Sequence, residues 1–220
     1  MGVKFGTDGW RAIISEDFTF ENVTMVAQAI ADYFKGENKT MVIGYDWRFL
    51  SEKYASLVAE VLAGNGIHVL LADKAVPTPL VSLAIRNMAL AGGVVITASH
   101  NPPIYNGIKI KAPYGGSADE TITKAVEELL GKNEVKKISI EDGIHSKRIE
   151  LMDLRPGYMK FAKRYLDMQL LKKARLNVLV DCMHGVGVDY IKDILKDTRI
   201  NVTQIRTNRD PLFGGVNPEP

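Results

Sequence analysis

From Thr40 onward the chain alternates short β-branched apolar runs with longer stretches of helical period, the pattern of a mostly parallel sheet covered by helices. Met41-Val42-Ile43-Gly44-Tyr45 reads as a buried strand. Ser51 then stands as the N-cap of a helix whose inner face carries Ala55, Val58, Ala59 and Leu62, and Gly64-Asn65-Gly66 stops it. A strand over 67–72, a Pro77-Thr78-Pro79 loop, a short helix over 80–87 and a fully apolar strand over 93–97 follow. Over 107–111 the apolar Ile108 and Ile110 alternate with Lys109 and Lys111, which predicts a strand with two ammonium groups on its polar face. An amphipathic helix is expected over 121–130.

The stretch 132–155 is charged and broken in pattern, so the chain divides near Asp153 into a first domain, 1–152, and the start of a second, 153–220. The second part predicts a helix over 158–171, a strand over 177–180, a Gly-rich turn at Met183-His184-Gly185-Val186-Gly187, another helix and a strand over 200–205. The expected fold is therefore α/β: a mixed, mostly parallel sheet layered between helices, followed by an incomplete second α/β domain. Two strands and two helices enclose little core. The expectation is a missing remainder beyond Pro220, or self-association in which a second copy covers the sheet.

Open α/β sheets bind ligands beyond the carboxyl ends of their strands. Ser99 stands at such an end, followed by His100, Asn101 and two prolines that stiffen the exit. It reads either as a preorganised nucleophilic hydroxyl or as a polar turn residue that satisfies backbone donors. Thr7-Asp8-Gly9-Trp10-Arg11 is expected to turn just after a first strand, and Asp46-Trp47-Arg48 follows another strand end. Singly, Arg11 and Arg48 suit solvated turns. Together, at one rim, their forked guanidinium groups suit phosphate oxygens. His184 reads as a loop-stabilising hydrogen-bonder, because His68, His100 and His145 are scattered through unlike contexts and suggest no ligand cluster.

The bulk numbers narrow the field. With 220 residues, 46% apolar and 25% charged, the composition is that of a soluble globular protein. A net charge of +2 gives no electrostatic footprint for nucleic acid or membrane. The single cysteine, Cys182, excludes an intramolecular disulfide and is expected to be a buried thiol in a reducing compartment. No signal peptide or membrane span is visible, so a cytoplasmic location is expected. Spacing alone reaches "phosphate-handling α/β enzyme".

Four segments add more. Phe5-Gly6-Thr7-Asp8-Gly9-Trp10-Arg11, Gly44-Tyr45-Asp46-Trp47-Arg48, Thr97-Ala98-Ser99-His100-Asn101-Pro102 and Asn106-Gly107-Ile108-Lys109 resemble, in order and spacing, the signatures of the α-D-phosphohexomutase family. Val180-Asp181-Cys182-Met183-His184-Gly185 resembles the start of that family's second domain. The resemblance implies a hexose phosphate substrate, glucose or mannose, whose phosphoryl group shifts between positions 1 and 6 through a hexose 1,6-bisphosphate. It makes Ser99 the phosphoserine and Lys109 the general acid/base, with His100 and Arg11 in the catalytic set and Thr7, Arg48 and Asn101 binding substrate or phosphate. It also implies Mg2+, held by the Ser99 phosphate and by an aspartate loop that this sequence does not contain. The 220-residue chain alone is accordingly expected to show little or no turnover. Phosphoglucosamine mutase and a non-catalytic phosphosugar-binding module are the alternatives. One departure is Ala12, where the family commonly has glycine after the arginine.

Overall fold

The computed structural model describes residues 2–6, 9–36 and 39–219. Its main sheet has six strands: β1 (Trp10–Ile13), β2 (Thr40–Tyr45), β3 (His68–Ala72), β4 (Gly92–Ile96), β5 (Tyr105–Lys111) and β6 (Ile149–Met152), in the order β1-β5-β4-β2-β3-β6. The pairs β2/β3, β2/β4 and β3/β6 are parallel, whereas β5 runs antiparallel to both β1 and β4. The mostly parallel α/β sheet expected from the sequence is thus present. Its central strands are apolar throughout because helices cover both faces: Met41, Val42 and Ile43 in β2 and Val94, Val95 and Ile96 in β4 are all buried.

Helix α1 (Phe20–Phe34) starts where the Thr19 hydroxyl accepts the Asn22 N–H. It buries Val23, Val26, Ala27, Ile30, Ala31 and Phe34, a 3.6-residue stripe. It packs on α2 (Ser51–Gly64) and α4 (Glu120–Leu129), while α3 (Thr78–Met88) lies against β2 and β4. The approach of α3 needs Gly44: a Cβ there would stand 2.5 Å from Val81 Cγ2.

Buried Gln28 ties α1 to the segment that follows α4. Its amide nitrogen donates to Asp32 (3.2 Å) and to the Asn65 side chain (3.0 Å), and its oxygen accepts from Asn65 Nδ2 (2.8 Å) and the Lys136 N–H (3.0 Å). Gln28→Leu keeps the bulk and strands these partners. Urea denaturation is expected to show a loss of about 1–3 kcal/mol, and a loss below about 0.5 kcal/mol would mean that water replaces the network.

The structure corrects several expectations. Trp10 and Arg11 belong to β1 itself, paired with Ile108 and Gly107, rather than to a turn after a strand. Ser51 is the first residue of α2, not its cap; its hydroxyl donates to Asp46 Oδ1 at 2.8 Å and accepts from Asn106 Nδ2 at 3.0 Å, so it is turned to the loop floor. The broken stretch near 132–155 contains α5 (Ile140–His145) and the edge strand β6. The helix expected over 158–171 is two helices, α6 (Arg155–Tyr165) and α7 (Met168–Lys173), because the Asp167 side chain captures the Leu170 N–H and caps a new start.

A second, two-stranded parallel sheet pairs β7 (Asn177–Asp181) with β8 (Asn201–Ile205) beside α8 (Tyr190–Leu195). Arg155 joins α6 to α8 through a 2.8 Å ion pair with Asp193 and by lying 4.5 Å over the Tyr190 ring. Both strands alternate exposed with half-buried positions, and Leu179 is 64% exposed. No helix among the described residues is long and apolar enough to cross a membrane.

Candidate active site

The loops after β2, β3 and β4 meet at one rim and face the second unit across a cleft of about 280 Å3. Asp46, Arg48, Pro77, Thr78, Thr97 and Ser99 line it from one side, and Cys182, Met183, His184 and Phe213 from the other. Cys182 is half-buried there rather than buried in an apolar run.

Ser99 is exposed and holds φ +57°, a left-handed backbone that costs a non-glycine residue about 1–2 kcal/mol. Two polar groups hold it there. Its N–H donates to Thr97 Oγ1 at 2.9 Å, and its carbonyl accepts from Arg48 at 2.8 Å.

Arg48 is 1% exposed. Its two terminal nitrogens donate to four backbone carbonyls: Ser99 at 2.8 Å, Asn101 at 2.7 Å, Pro102 at 3.0 Å and Tyr105 at 3.1 Å. Its Nε lies 3.5 Å from Asp46 Oδ2, and the guanidinium lies 5.0 Å over the Phe213 ring of the second unit. With its terminal nitrogens donating to four carbonyls, Arg48 clamps the Ser99 loop.

Asp46 anchors the clamp. It accepts the Arg48 N–H (3.0 Å) and the Ser51 hydroxyl (2.8 Å). Burial pushes its carboxyl pKa up, and the Thr97 hydrogen bond and the Arg48 charge oppose that shift. Burial likewise lowers Arg48, opposed by Asp46. Buried Asn106 completes the floor, donating to Phe49 O (3.1 Å) and Ser51 Oγ (3.0 Å).

Of the remaining candidates, Arg11 and Asn101 are brought together: Arg11 Nη1 donates to Asn101 Oδ1 at 2.8 Å. His100 is exposed beside Ser99. Lys109 is 8% exposed in β5, opposite Val95, so it is not a solvated strand lysine. Neither Lys109, His100, Arg11 nor Asn101 lines the cleft that holds Ser99. Thr7 lies outside the described residues. His184 makes the expected loop hydrogen bond, its Nδ1 3.0 Å from Asn208 O. Sequence reasoning gave no role to Asp46, Thr97 or Phe213. The signal for the first two was a carboxylate and a hydroxyl each directly following an apolar strand.

The described residues contain no group of three or more His, Cys, Asp or Glu that could hold a metal ion. Asp46 is spent on Arg48 and Ser51. The residues present do not make the magnesium site that the resemblance implies.

An exposed serine on a clamped loop at the carboxyl rim of a mixed sheet places the chain among α/β domains with a polar strand-end site, and comparison with known proteins gives the family. Residues 2–137 match the family model "Phosphoglucomutase/phosphomannomutase, alpha/beta/alpha domain I" and residues 156–220 match that for domain II. The chain belongs to the phosphoglucomutase/phosphomannomutase family. It is 36% identical to a phosphoglucomutase of Komagataeibacter xylinus, over 96% of this chain and 41% of that protein. It is 31% identical to a phosphoglucosamine/phosphogalactosamine mutase of Sulfurisphaera tokodaii, over 100% of this chain and 48% of the relative. A Thermus thermophilus structure described as a phosphomannomutase superposes with a TM-score of 0.88 at 36% identity, covering 100% of this chain and 49% of that one. The chain thus spans about half the length of the curated relatives it matches.

Proposed function

We propose that this chain carries the phosphoserine of a hexose-phosphate mutase, with residues 1–152 as its first domain and 153–220 as the N-terminal part of its second. The observation that carries the reading is Ser99, an exposed hydroxyl in a left-handed turn beyond β4, clamped by a buried arginine, in a chain of this family.

In this reading Ser99 Oγ bears a phosphoryl group. A hydroxyl oxygen of a hexose monophosphate bonds to phosphorus as the P–Oγ bond breaks, and Lys109, as general acid/base, relays the hydroxyl proton to the departing Ser99 Oγ. The resulting hexose 1,6-bisphosphate returns its other phosphoryl group to Ser99, which completes a shift between positions 1 and 6. Arg11, His100 and Asn101 offset charge on the transferring oxygens. Of the Mg2+ site, these residues supply the Ser99 phosphate alone. The 220-residue chain is accordingly expected to take up phosphate without sustaining turnover. Its single cysteine suits a cytoplasmic setting, and the exposed leucines of the second unit, Leu170, Leu176 and Leu179, are where two copies would associate.

The test is phosphopeptide mass spectrometry after incubation with glucose 1,6-bisphosphate and Mg2+, with Ser99→Ala as the blank and a full-length relative as positive control. Phosphate on Ser99 alone supports the reading. An unmodified chain beside a modified control overturns it for these residues and leaves a binding module. The match to a phosphoglucosamine/phosphogalactosamine mutase favours a second reading, an amino-sugar phosphate as substrate; substrate profiling of a longer protein containing this chain separates the two.

A further inference from the structure

The Ser99 turn is held from both sides. On the carbonyl side stands Arg48, whose own N–H is fixed by Asp46 Oδ1 at 3.0 Å. On the amide side stands Thr97, 5% exposed, whose Oγ1 accepts the Ser99 N–H at 2.9 Å.

We propose that Thr97 is a positioning residue for phosphoryl transfer, its hydroxyl holding the Ser99 amide and keeping the left-handed turn that presents Ser99 Oγ to the cleft. This deepens the proposed function and rests on it. The effect follows from the strain: an L-residue at φ +57° relaxes toward negative φ unless a specific contact opposes it. Rotation of the Ser99 backbone would carry Oγ away from the position from which it attacks in line. A displacement of about 1 Å at a reacting atom costs roughly 100-fold in rate.

Thr97→Val keeps the shape and removes the hydroxyl; Thr97→Ser restores it. Two readouts are taken on the 220-residue chain: hydrogen exchange of the Ser99 amide by 15N NMR, and the rate of phosphate uptake on Ser99 across a range of glucose 1,6-bisphosphate concentrations. In Thr97→Val the amide is expected to exchange at least about 10-fold faster. The uptake rate at saturation should fall about 10- to 100-fold, with the half-saturating concentration unchanged, and Thr97→Ser should recover both. A purely structural role would lower the thermal midpoint and leave the saturating rate of the folded fraction alone, and that result overturns the proposal. So does a change in only one of the two readouts. If the wild-type chain takes up no phosphate while the control does, the proposed function fails for these residues, and the exchange measurement alone decides whether Thr97 holds the Ser99 turn.

Discussion

Arg48→Ala is expected to lower the thermal midpoint by on the order of 10 °C. The guanidinium is 1% exposed and satisfies four backbone carbonyls spread over residues 99–105, besides facing Asp46 and Phe213. Alanine leaves those carbonyls without donors and Asp46 without its countercharge. Removing one member of a buried charged pair costs about 3–5 kcal/mol, and each kcal/mol moves the midpoint by roughly 2–4 °C for a chain of this size. Arg48→Lys should recover little, because one ammonium with three donors cannot fork across four carbonyls. A calorimetric or circular-dichroism melt checks both variants. The measurement also separates two roles: a phosphate-binding arginine would lose affinity for phosphate with the midpoint nearly unchanged. A midpoint within about 2 °C of wild type would therefore remove the clamp described above.

The same arginine shows where sequence reading reaches its limit. Its position after β2 was legible, because Met41-Val42-Ile43 is an unbroken apolar run of the kind buried on both faces of a parallel sheet. Its partners were not legible: they lie 51 to 57 residues away, and nothing local distinguishes an arginine aimed at carbonyls from one aimed at phosphate. Ser51 misleads for a related reason. It does mark a helix start, but its hydroxyl donates to Asp46, five residues back, and accepts from Asn106, 55 residues on, a pairing no local pattern announces. The strand β6 escapes because only Ile149 of its four residues is buried, which leaves an edge strand almost no hydrophobic pattern. Ser99 stands out by sequence alone, and its left-handed backbone is invisible there because the contacts that impose it come from Thr97 and from β2's loop.

Gly107→Ala is the substitution expected to couple stability most directly to the Ser99 loop. Gly107 sits in β5 between β1 and β4, paired with Arg11, and its carbonyl accepts the Thr97 N–H at 3.0 Å. A Cβ at this position would stand 2.7 Å from Thr97 O, 2.7 Å from Trp10 O and 3.0 Å from Arg11 Cγ. Two of these three atoms are main-chain oxygens, one in β1 and one just beyond the end of β4, so no rotamer change relieves the overlap and the main chain must shift. Overpacking of this kind costs about 1–3 kcal/mol. A shift of β4 displaces Thr97, and with it the acceptor of the Ser99 amide; a shift of β1 displaces Arg11 and its 2.8 Å bond to Asn101. Either way the loss should appear twice, as a lower urea midpoint and as phosphate uptake on Ser99 reduced about 10- to 100-fold at temperatures where the variant is fully folded. Reduced stability with wild-type uptake would place the strain on the far side of β1, away from the loop. Wild-type behaviour in both would mean that β5 absorbs the methyl group by twisting, and that the glycine is not required for strand approach.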